Sequence, residues 1–127
     1  MSEVGSLWGN LSNLKTVRTP KTILAEQADV LNQATQGVVR AAVQSSQGGA
    51  NLTHTLLLVA PVLSNYTYAL CTVTHPIEPY PCKLYNAALS TWEDCSDEAD
   101  FTKKLAVILS SEKTRRILES LLSQSKG

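Results

Sequence analysis

The sequence contains no run of 18 apolar residues, so no membrane-spanning helix is expected. It lacks an excess of either charge. Eleven basic residues balance eleven acidic ones. A nucleic-acid binder needs a positive field against the phosphates, so no nucleic-acid partner is expected. Charged residues make up only 17% of the chain, below the usual quarter. With no net charge, self-association that covers some surface is one route to solubility, and a homodimer is entertained on that ground. The stretch Met1 to Gly5 has neither a basic nor an apolar leader region. A secretory signal is therefore not expected, and a cytoplasmic setting is. On that reading the three cysteines, Cys71, Cys82 and Cys95, are reduced thiols. The glycosylation sequons at Asn10, Asn51 and Asn65 then count as chance matches.

The common signatures of chemistry are also missing. There is no Gly-x-Ser-x-Gly elbow, no phosphate loop, no dinucleotide fingerprint and no close Cys-x2-Cys pair. No cofactor is expected, and an enzyme is the less favoured reading. At 43% hydrophobic, however, the 127 residues can bury a core as one domain. Residues 1 to 18 form a loosely packed N-terminal segment. In it Leu7, Trp8, Leu11 and Leu14 sit at helical spacing and are expected to pack on the body.

Thr19-Pro20 begins a helix, with Thr as the cap and Pro where no amide is needed. Ile23, Leu24, Gln27, Ala28, Leu31 and Ala34 trace one face, and Gly37 provides the stop. The helix is predicted from Pro20 to about Gln36. Val38 to Gln44 reads as a strand and Ser45 to Asn51 as a flexible loop. Leu52 to Leu63 and Tyr66 to His75 read as a hairpin turning at Ser64-Asn65. Pro76 to Pro81 has three prolines in six residues and is extended. Cys82 to Tyr85 is one more short strand, and Asn86 to Cys95 fits a strand end or a helical turn. Glu93, Asp94, Asp97, Glu98 and Asp100 are read as the acidic start of a helix. Its buried face is Phe101, Leu105, Ile108 and Leu109. Ser111 then caps a last helix lined by Ile117, Leu118, Leu121 and Leu122.

The predicted fold is α+β: an N-terminal helix, a three- to four-stranded antiparallel sheet, and two C-terminal helices on one of its faces. This order resembles small bacterial accessory domains that work by binding, in architecture only.

Four residues merit a metal test: His54, Cys71, His75 and Cys82. If Ser64-Asn65 are the two loop residues, His54 lies opposite His75 with Cys71 on the same face, whereas a one-residue register change puts His54 on the opposite face. Cys82 folds back after the prolines. Sulfur and imidazole suit zinc, but the spacing Cys-x3-His-x6-Cys is not that of a zinc site, so none is assigned. The bland alternative is two strand-end histidines and a buried thiol. Cys71 and His75 lie roughly 13 Å apart along an extended strand, too far for a nucleophile–base dyad. Cys95, among acids, is a poor nucleophile.

The cluster Lys113, Arg115 and Arg116 opposes the dipole of the last helix. A solvated helix face is its bland reading. Otherwise it pairs with the acids at Glu93 to Asp100, within the chain or across a dimer, or it docks an acidic partner. Tyr80 and Tyr85 flank the proline segment, which either presents a rigid surface or protects a sheet edge. The function expected on this basis is a non-enzymatic protein–protein interaction or regulatory module. The alternatives are a small-ligand site between the sheet and the first helix, or an enzyme built on His54, His75 and Cys71.

Overall fold

A computed structural model describes residues 7–126. The part of the N-terminal reading that falls on residues 1–6 lies outside them. Helix α1 runs Pro20–Ala34, with Thr19 Oγ1 accepting from the Thr22 amide and Pro20 at the first position. Five strands follow: β1 Arg40–Gly48, β2 Asn51–Ala60, β3 Tyr66–His75, β4 Cys82–Asn86 and β5 Thr91–Cys95. Helices α2, Glu98–Leu109, and α3, Glu112–Lys126, close the chain. The sheet is an antiparallel meander in the order β1-β2-β3-β4-β5. The helix–sheet–helix–helix order is as predicted, with one strand more.

The fifth strand comes from Thr91 to Cys95, where Glu93 and Asp94 had been assigned to a helix start. They extend β5 instead, because Trp92 pairs with Tyr85 and Cys95 with Cys82. Helix α2 starts later, where Asp97 Oδ1 accepts from the Asp100 amide at 2.8 Å. The loop predicted over Ser45 to Asn51 shrinks to Gly49-Ala50. Ser45, Ser46 and Gln47 pair with His54, Thr53 and Leu52, since an edge strand leaving the core needs no apolar residues. Ser64 and Asn65 do turn the β2–β3 hairpin, with φ of 57° and 58°. Pro61–Leu63 first forms a 3-10 turn, which ends β2 at Ala60.

All three helices pack on one sheet face. Ile23, Leu24 and Ala28 of α1, Phe101, Leu105 and Ile108 of α2 and Leu121 of α3 share one core with Leu56, Leu58, Val73 and Leu84. The opposite face carries Thr53, Thr55, Leu57 and Val59 of β2, with the Tyr85 and Trp92 rings in tilted contact at 5.0 Å. Within β3 the alternation changes phase. Leu56 pairs with Cys71 but Leu57 pairs with Ala69, so Leu70 is an extra residue, a β-bulge. Leu70 and Cys71 are both buried as a result.

The N-terminal segment does not pack as expected. Leu7 is 96% exposed and Leu14 75%. Leu11–Asn13 forms a 3-10 turn under Asn10. Arg18 ties the segment to the body. Its carbonyl accepts from Tyr80 Oη at 2.8 Å, and its guanidinium reaches Glu26 and Glu98.

Candidate functional site

Two polar regions emerge. The first is at the open end of the β1–β2–β3 part of the sheet. His54 and His75 are both buried at 5% exposure, on the helix-covered face. The longer connection over 61–65 moves the hairpin register by three residues from that of a two-residue turn, and the bulge at Leu70 returns one, a net shift of two at the histidines. His54 therefore pairs with Val73, and Leu52 with His75. A shift of two keeps the face, so the histidines meet diagonally. Their Nε2 atoms are 3.2 Å apart and their ring centroids 5.2 Å.

The protons in this pair follow from its partners. His75 Nδ1 lies 2.6 Å from the Pro76 carbonyl, which can only accept, so Nδ1 holds the proton of neutral His75. His75 Nε2 is then an acceptor, and His54 Nε2–H donates to it. His54 Nδ1 in turn accepts from the Ser45 hydroxyl at 2.8 Å. Burial first, then the charge of a protonated His75 and of Lys21, holds His54 below the usual histidine pKa. The pair borders a groove of about 490 Å³ lined by Thr19, Lys21, Ser45, Gln47, Ile77 and Pro79 among others.

The cysteines do not join this pair. Among the described residues no three His, Cys, Asp or Glu side chains converge as metal ligands. Cys71 is 1% exposed in the core, and burial pushes its thiol up to about 12. Cys82 and Cys95 face each other across β4 and β5 as free thiols. Burial, then Cys95, pushes Cys82 up to about 12. Cys95 is also raised, with burial ahead of the surrounding acids as the cause. Thiols so held are packing groups at neutral pH.

The second region is a groove of about 460 Å³ between α3 and the start of β3. Lys113, Arg116, Ile117 and Leu121 line it from α3, and Tyr66 and Tyr68 from β3. Arg115 is exposed outside it. Among the described residues the ion pairs are Arg18 with Glu26 and Glu98, and Lys104 with Asp100. The basic cluster thus makes no ion pair with the acids at Glu93 to Asp100 of its own chain.

Of the two tyrosines singled out in the sequence, Tyr80 packs on Phe101 at 6.5 Å besides bonding to Arg18. Burial pushes its phenol up to about 12. Tyr85 lies on the uncovered sheet face against Trp92. Sequence reasoning did not find Ser45, which it placed in a loop, nor Tyr66 and Tyr68, whose facing depends on the bulge. A small apolar cleft of about 180 Å³ also lies between α1, the sheet and α3, lined by Val30, Leu31, Ala41, Leu58 and Leu118. No protein-family model, no curated protein and no solved structure matches this chain.

Proposed function

We propose that the domain is a protein-binding module whose groove beside α3 takes an acidic, partly apolar segment of a partner. The observation that carries this reading is the placement of Lys113 and Arg116. Neither forms an ion pair among the described residues, and both line a groove together with two tyrosines and the apolar Leu63, Ile117 and Leu121. Lys113, in the first turn of α3, works against the helix dipole, and Arg116 stands one turn further on. A partner carboxylate offsets that cost, while tyrosine rings supply rigid contact area.

The small-ligand reading rests on the cleft under α1. Its volume of about 180 Å³ falls below the ~300 Å³ at which drug-sized sites begin, so it suits at most a short apolar group. The groove beside α3 has room for several side chains and carries the charge.

A panel of fluorescent peptides mixing Asp or Glu with Leu and aromatic residues tests the proposal by anisotropy. Salt-sensitive binding is expected, weakened at least about 10-fold by the double substitution Lys113→Glu, Arg116→Glu and not by Lys103→Glu on α2. Sedimentation in low and high salt identifies a second copy of the chain as the partner. Peptides that never bind, together with a monomer at every salt concentration, would overturn the reading.

A further inference from the structure

We propose that His54 and His75 form a two-histidine site for a borderline divalent ion, zinc, copper or nickel. Two nitrogens each 2.0–2.1 Å from one tetrahedral ion stand about 3.3 Å apart. The two Nε2 atoms are 3.2 Å apart. The outer nitrogens are already held, as ligating histidines require: Nδ1 of His75 by the Pro76 carbonyl, Nδ1 of His54 by Ser45. Neighbouring paired strands carry the two rings, His54 within β2 and His75 at the end of β3.

Without an ion, one proton sits between the rings. When the ion enters, that proton leaves His54 Nε2 and a proton takes up Nδ1. The Ser45 hydroxyl turns from donor to acceptor, and both Nε2 lone pairs face the metal. The proton count of the chain does not change. The remaining coordination positions open on the groove, where water or an exogenous donor completes the shell. Imidazole pairs favour zinc, copper and nickel over magnesium or calcium. Lys21, on the rim of the groove, opposes the charge, though it is exposed and screened by salt.

A plain hydrogen bond between two neutral imidazoles is the competing account, and titration separates the two. Protein made without a histidine tag and stripped with chelator is titrated calorimetrically with zinc, then with cobalt for its spectrum. One ion per chain is expected, lost with His54→Gln or His75→Gln and weakened about 10-fold by Ser45→Ala. Lys21→Glu on the intact pair is expected to tighten binding several-fold. Cobalt is expected to show no sulfur charge-transfer band. Should the histidine variants fail to fold by circular dichroism, Lys21→Glu decides, and an unchanged affinity there overturns the proposal. So would absence of zinc binding, persistence of binding in the folded double histidine variant, or a sulfur band that places the ion on Cys82 and Cys95.

Discussion

Replacing Phe101 by alanine is the most informative test of the packing. The ring is fully buried, in the first turn of α2, and meets the Tyr80 ring at 6.5 Å. It belongs to the layer that seats α2 on β4 and β5, the sheet end farthest from α1. Truncation removes the ring's transfer free energy and leaves a cavity, a loss of about 3–5 kcal/mol. A domain of this size has roughly 5–15 kcal/mol in total. With a urea m-value of about 2 kcal/mol per molar, the midpoint should fall by about 1.5–2.5 M. Phe101→Leu, which refills most of the space, should lose only about 1–1.5 kcal/mol. Urea unfolding followed by tryptophan fluorescence and circular dichroism gives both numbers, and coincident curves justify treating them as two-state. A loss below about 1 kcal/mol for the alanine variant, at unchanged m, would refute the placement of this ring at the centre of the α2 layer.

Three further outcomes follow from the same structure. Because His54 has a lowered pKa in the fold, the unfolded chain takes up its proton first. Metal-free protein should be fully stable with respect to this group above about pH 6.5 and lose stability as pH falls through that value, by at most about 1.4 kcal/mol per pH unit; melting curves of wild type and His54→Gln should diverge there. Cys71 and Cys82, pushed up to about 12, hold thiolate in about one molecule in ten thousand at pH 8. Native protein should therefore resist a thiol-specific chromogenic reagent that reacts with all three cysteines once the chain is unfolded, and fast labelling of the native state would contradict their burial. Asp97→Ala removes the side chain that accepts from the Asp100 amide and should cost about 1 kcal/mol, with Asp97→Asn retaining most of it; thermal unfolding of the three proteins checks the order.

Much of this architecture was legible in the residues, for identifiable reasons. Thr19-Pro20 and Gly37 punctuate α1 by local chemistry alone, and Gly37 does adopt φ of 80°. Ser64-Asn65 turns the chain with both residues in the left-handed region, which Asn tolerates and where Ser is a common turn residue. What failed depends on neighbours distant in sequence. Ser45, Ser46 and Gln47 have loop composition, and only their pairing with β2 makes them strand. Glu93 and Asp94 belong to β5 because Cys82 and Tyr85 stand opposite their flanking residues, information absent from the acidic run itself. The residues alone left open whether His54 and His75 meet, and the observed register is two residues from the one that sets them directly opposite. The turn alone would have flipped the face, and the bulge at Leu70 restored it; neither left a periodic trace in the residues. The apolar residues Leu7, Leu11 and Leu14 had helical spacing but no facing surface, and spacing alone does not supply one.

The extra residue at Leu70 gives β3 two reading frames. On the turn side the residues in step with Leu70, Tyr66 and Tyr68, face the α3 groove. Past it Cys71, Val73 and His75 take the covered face, and Thr72 and Thr74 go to the open one, where they bond to Thr55 and Thr53. Neither frame alone serves both regions. A single-codon deletion at Leu70 would keep the tyrosines in place only by turning His75 out toward water and two threonines into the core. For this chain a lost residue at one position should therefore be worse tolerated than almost any exchange there, and both candidate regions should fail together.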